Sequence, residues 1–129
     1  MAETVKQGGL APTVVLMGLE GLGEELGQIL SQQGYTVCLG PLLPRDVALE
    51  LIDQAGAGIV FCPAEPEHCA PLLEVMKAEK PELPVVAVSR LPEVSLWLGA
   101  LELGAADYCA PPFEPVQIKW ILQSALKPA

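Results

Sequence analysis

The sequence predicts an α/β domain, a doubly wound parallel sheet of five strands with helices on both faces. Three observations predict it. Five short β-rich runs alternate along the chain with five helical segments, the order that places parallel strands beneath crossover helices. The run Ala57-Gly58-Ile59-Val60-Phe61-Cys62 is small or apolar throughout and is followed by Pro63 and Pro66, as expected of a central strand buried on both faces. Hydrophobic residues make up 51% of the chain and aromatics only 5%, so the core is aliphatic.

In order, Thr13 to Met17 is a β-rich run ending at Gly18. Glu24 to Gln33 places Leu26, Ile29 and Leu30 at helical spacing, and Gly34 stops that helix. Tyr35 to Leu39 is a short second strand closed by Gly40. Pro44 opens a second helix with Val47, Leu49, Leu51 and Ile52 as its apolar residues and Gly56 past its end. The Ala57–Cys62 run follows, then a helix from Glu67 to Glu79 carrying Leu72, Leu73, Val75 and Met76. Leu83 to Ser89 is a fourth strand. Pro92 and Glu93 start a fourth helix that reaches Leu103 and stops at Gly104. Ala106 to Cys109 is a fifth strand, and Pro115 opens a last helix to about Leu126. Right-handed crossovers restrict such a chain to a few doubly wound orders.

The 129 residues suffice for one domain with a single real core. Residues 1–11 read as a loose polar leader and residues 12–129 as the domain. The start of the chain has no apolar centre of the kind a signal peptide needs, and no apolar run approaches the ~20 residues that span a bilayer, so a cytoplasmic protein is expected. A formal charge of −9, with seven scattered basic residues, argues against nucleic acid and anionic membrane as partners. The four cysteines, at 38, 62, 69 and 109, form no CxxC pair, and the one histidine, His68, stands beside Cys69. That spacing does not suit zinc, so no metal or other cofactor is expected and the cysteines read as reduced thiols, three of them buried.

The glycines of Gly18-Leu19-Glu20-Gly21-Leu22-Gly23-Glu24-Glu25-Leu26-Gly27 lie between a strand and a helix, where a dinucleotide fingerprint belongs. Their spacing departs from it, strand two carries no terminal acid for a ribose hydroxyl, and Glu24 and Glu25 would crowd a pyrophosphate. A turn with an acidic helix start is the simpler reading. A small-ligand or nucleotide module using Gly18–Gly27 stays open as an alternative.

A second pattern covers Thr13 to Leu126. Gly34-Tyr35-Thr36-Val37, Cys62-Pro63-Ala64-Glu65-Pro66, Ser89, and Gly104-Ala105-Ala106-Asp107-Tyr108-Cys109-Ala110-Pro111-Pro112-Phe113 together resemble the response-regulator receiver (CheY-like) family. The intervals Gly18 to Gly34 and Ser89 to Gly104 agree with it. The resemblance implies a flavodoxin/CheY-like sheet in the order 2-1-3-4-5, with a site at its carboxyl edge. The acidic pair that holds Mg²⁺ in that family falls on Met17 and Gly18, and the phosphoaccepting aspartate on Cys62. The phosphoryl-binding hydroxyl falls on Ser89, the lysine on Pro111 (before Pro112), and the signalling tyrosine on Tyr108. Only Ser89 and Tyr108 are retained.

Phosphoryl transfer needs an oxygen nucleophile in line, a divalent cation over the phosphoryl oxygens and a cation to meet the developing charge. Met17, Gly18, Cys62 and Pro111 supply none of these, so the expectation is a degenerate pseudo-receiver that is not an enzyme. Cys62 would need a nearby cation, metal or helix start to become reactive. His68 and Cys69 open the next helix, yet no Lys or Arg maps to the pocket, so an inert thiol is the simpler reading and a Cys62 thiol sensor the alternative. The fourth helix is apolar around most of its circumference and the last is rich in apolar residues, so part of Leu96, Leu98, Trp120 or Ile121 is expected to face solvent. The resemblance makes the face of helix four, strand five and helix five, with Leu96, Trp97, Tyr108, Trp120 and Ile121, the docking surface for a signalling partner or a second copy in a dimer. Ordinary core plus stray apolar residues is the competing account of those side chains.

Overall fold

The computed structural model describes residues 12–126; the expected leader, residues 1–11, lies outside them. Five strands, β1 (Thr13–Met17), β2 (Thr36–Gly40), β3 (Ala57–Pro63), β4 (Val85–Val88) and β5 (Asp107–Cys109), alternate with five helices. These are α1 (Gly23–Gln32), α2 (Arg45–Ala55), α3 (Pro66–Glu79), α4 (Val94–Glu102) and α5 (Pro115–Ala125). All strand pairs are parallel and the order is β2-β1-β3-β4-β5, the doubly wound arrangement expected from the sequence.

Successive side chains of a strand point to opposite faces, so each inner strand feeds two cores. Val14 and Leu16 of β1, Ile59 and Phe61 of β3, and Val86 and Val88 of β4 pack with Leu26 and Leu30 of α1 and with Ile118, Ile121 and Leu122 of α5. Val15 and Met17, Val60 and Cys62, and Val85 and Ala87 face the other way. They meet Ala48 and Ile52 of α2, Leu72, Leu73 and Met76 of α3, and Ala100 of α4. Burial on both faces explains why β3 and β4 read as unbroken apolar runs.

Element ends differ from expectation where tertiary bonds decide them. β4 starts two residues late because the Leu83 amide closes a turn onto the Lys80 carbonyl (3.1 Å) and Pro84 has no N–H to give. α4 starts at Val94, not Pro92. Glu93 is extended (φ −142°), its amide donates to the Tyr108 hydroxyl (3.1 Å), and its carbonyl accepts the first helical bond, from Trp97 (3.0 Å).

One expected surface residue is corrected. Ile121 is only 5% exposed and belongs to the core beneath α1 and α5. Ile118, Ile121 and Leu122 stand three and four residues apart and form the inward stripe of α5, which turns Trp120 outward instead. Leu96 is half-buried against the opposite core.

Candidate functional site

Parallel strands all end on one edge of the sheet, and the strand order leaves a crevice there, outside their carboxyl ends. A cavity of about 340 Å³ occupies that edge, lined among others by Gly18, Glu20, Pro63, Glu65, His68 and Arg90. The β1–β3 register pairs Leu16 with Phe61, so Met17 and Cys62 follow as neighbours at the strand ends. Both are buried, at 1% and 0% exposure, and both turn into the core below the edge rather than into the cavity.

Gly18 has a φ of +71°, a conformation that strains any residue with a side chain, and it hydrogen-bonds across to the Gly40 carbonyl (2.9 Å). A Cβ at this position would stand 3.0 Å from the Leu42 Cβ and 3.3 Å from the Pro63 ring. The position is therefore filled from above as well as conformationally restricted. Pro111 is half-buried in the β5–α5 loop, joined to Pro112 by a cis peptide bond. A thioether, a glycine, a thiol and a proline ring present no carboxylate oxygen, and a hard divalent cation selects oxygen. Residues 17, 18 and 62 do not fit Mg²⁺, and among the described residues no group of three or more His, Cys, Asp or Glu is placed to hold a metal.

Ser89 and Tyr108 are joined to each other. The buried Ser89 hydroxyl donates to the Leu91 carbonyl (2.7 Å), so it accepts from the Tyr108 hydroxyl that lies against it. Tyr108 Oη in turn accepts the Glu93 amide. A directed chain thus runs from the start of α4, through β5, to the loop after β4. It leaves the Ser89 proton committed to the Leu91 carbonyl.

Arg90 corrects the expectation that no basic residue reaches the pocket. It lies just past the end of β4, and its guanidinium crosses the cavity rim to the Glu20 carbonyl (2.9 Å). Its place directly after Ser89 was the available signal. The reach of the long side chain was not readable from spacing. The Gly18–Gly27 turn presents few free donors, since the amides of Leu22 and Gly23 both return to the Leu19 carbonyl. Glu24 and Glu25 stand exposed in the first turn of α1, where they suit the helix dipole and oppose a phosphate.

Cys62 has a partner that the sequence only hinted at. Its thiol donates a hydrogen bond to Cys69, which raises the Cys62 pKa well above the usual thiol value, with burial adding to the rise, and lowers that of Cys69. At the β5 edge, Trp97 is 44%, Leu98 50% and Trp120 68% exposed, with Val94 and Val116 also open to solvent. Tyr108, half-buried between them in the sheet, faces inward to its hydrogen bonds.

This fold is that of response-regulator receiver domains. The receiver domain of NtrX from Brucella abortus is similar at 24% identity, with a TM-score of 0.76 over 91% of this chain and 99% of that one. A putative response regulator from Chloroflexus aurantiacus is similar at 22% identity, with a TM-score of 0.75 over 92% and 100% of the two chains. A longer Brucella abortus NtrX chain, solved in complex with ADP, matches at 25% identity and a TM-score of 0.77. This chain spans only 26% of that one's length. No family model matches the sequence, and neither does any curated protein. Among the described residues no helix is long and apolar enough to cross a membrane.

Proposed function

We propose that the chain is a pseudo-receiver: a non-enzymatic signalling or regulatory protein of the cytoplasm that docks a protein partner, or a second copy of itself, without being phosphorylated. The observation that carries this reading is the contrast between the two ends of the retained hydrogen-bond chain. At the carboxyl edge, the positions that would hold Mg²⁺ and accept a phosphoryl group are Met17, Gly18 and Cys62, and the two side chains point into core. At the other end, Trp97, Leu98 and Trp120 remain in water around β5. Exposed tryptophans are costly to leave unpartnered and are enriched in the energetic centres of interfaces. In a receiver the phosphoryl group sets the geometry of this face; here the Ser89–Tyr108–Glu93 chain holds it without one.

Two measurements test the reading. Incubation with Mg²⁺ and acetyl phosphate, followed by intact mass, is expected to show the unmodified chain; a stable phosphoryl adduct refutes it. Sedimentation of the wild type, alone and with a partner encoded beside it, is expected to show association that Trp97→Ala with Trp120→Ala reduces at least tenfold. A monomer at every concentration, binding no partner through these tryptophans, removes the docking role.

A further inference from the structure

We infer that Cys62 and Cys69 form a redox-active dithiol that a hydroperoxide closes to an intramolecular disulfide. The proposal is independent of whether the β5 face docks a partner. It rests on placement. Cys62 ends the apolar stretch of β3 and Cys69 lies in the first turn of α3, seven residues later, with the Cys69 amide bonded to the Glu65 carbonyl (2.9 Å). The strand-to-helix turn folds the second thiol back onto the first, and the two share a hydrogen bond within one core cluster. Two thiols held in contact need no loop closure before bonding, which is the costly step for distant cysteines.

The pair is also chemically asymmetric. Cys62 is the hydrogen-bond donor, so negative charge is better accommodated on Cys69 Sγ, which sits at a helix start where the peptide dipoles favour an anion. Glu65 opposes both thiolates, and His68 lies on the same turn. The Cys69 thiolate attacks one oxygen of the hydroperoxide. The O–O bond breaks, the leaving alkoxide or hydroxide takes a proton, and Cys69 becomes a sulfenic acid. Cys62 then attacks that sulfur, its proton leaves with the hydroxyl as water, and the disulfide remains. In sum, two thiols and one hydroperoxide give one disulfide, one water and one alcohol or second water.

Both cysteines are 0% exposed, so the oxidant must be small and a neighbour must move. Met17 and Leu72 belong to the same core cluster as the pair, and with His68 they line a surface hollow of about 200 Å³ between α2 and α3. Displacement of these side chains opens the pair without unfolding the sheet.

The test treats the folded protein with hydrogen peroxide, quenches it, then unfolds it in the presence of iodoacetamide. Trypsin releases residues 46–77 as one peptide that contains Cys62, Cys69 and no other cysteine. The expected product is this peptide unalkylated and lighter by two hydrogens than the dithiol. Cleavage after Glu67 should give two fragments that separate only on reduction. The half-buried Cys38 serves as an internal gauge of dose. Two alkyl groups on the peptide at a dose that oxidises Cys38 overturn the proposal. Sulfinic acid on either cysteine without a disulfide, or a link to another chain, also overturns it.

Discussion

Replacing Tyr108 by Phe removes one oxygen and interrupts the hydrogen-bond chain at its centre. The buried Ser89 Oγ loses its donor, and the Glu93 amide at the start of α4 loses its acceptor at 3.1 Å. A neutral intramolecular hydrogen bond contributes about 1 kcal/mol net. Glu93 is exposed and its amide regains water, so the expected loss is about 1–2 kcal/mol rather than the full sum. With an unfolding entropy of about 2.1 cal/mol/K per residue, 129 residues give about 0.27 kcal/mol/K, and Tm should fall by roughly 4–7 °C. The assay is thermal unfolding of wild type, Tyr108→Phe, Ser89→Ala and the double variant, read as a cycle. A coupling of about 1 kcal/mol is expected, within the range found for residues sharing one network. The tryptophan at position 97, in the first turn of α4, should report the loosened helix start by a fluorescence change in a Trp120→Phe background. A Tyr108→Phe shift below about 1 °C, or single effects that add to within about 0.3 kcal/mol, refutes the claim that this chain holds the face.

Cys62→Asp should not restore a receiver. It places a carboxylate at a fully buried position beside Met17 and Cys69, in a described core cluster of apolar side chains that offers it no cation, a cost of about 3–5 kcal/mol. The buried acid's pKa rises, so the variant should be closest to wild type at low pH and lose stability as pH rises through the folded value. Pulsed acetyl phosphate with Mg²⁺ should still give no adduct. Cys109 makes a separate alkaline prediction. Burial, helped by the Asp107 carboxylate, pushes its thiol from 9.0 up to about 12. Below pH 9 both states keep the proton; between about 9 and 12 only the unfolded chain releases it, so stability is lost as pH rises, by up to about 4 kcal/mol at 1.36 kcal/mol per unit. Urea unfolding at pH 8 and pH 10.5 should show a smaller decline in Cys109→Ala than in wild type; equal declines refute it.

The strands were legible because an inner parallel strand is apolar on both sides, and no competing pattern explains Ile59 to Cys62 or Val85 to Val88. The placement of Met17, Gly18 and Cys62 at the carboxyl ends of β1 and β3 was legible for the same reason, since their spacing is tied to strand ends. What stayed hidden depends on direction or reach. In Trp120-Ile121-Leu122 every residue is apolar, so the helical phase that buries Ile121 and exposes Trp120 is set only by the neighbouring sheet. The start of α4 is decided by a hydroxyl 15 residues later in the chain. Arg90 enters the cavity by the length of its side chain, and Cys69 meets Cys62 because a turn reverses the chain between them.

On the reading of the chain as a pseudo-receiver, Gly18 makes the absence of an acidic pair hard to reverse. The obstacle there is the backbone and its roof: a φ of +71° and a Leu42 side chain already resting where a Cβ would project. At position 62 a cysteine codon becomes an aspartate codon with two base changes. An aspartate introduced at position 18 meets a strained turn and a Leu42 Cβ 3.0 Å from its own, so the substitution is expected to destabilise the fold. On the proposed reading, position 18 acts as a ratchet against an acidic pair, and the docking role falls to the β5 edge of the sheet.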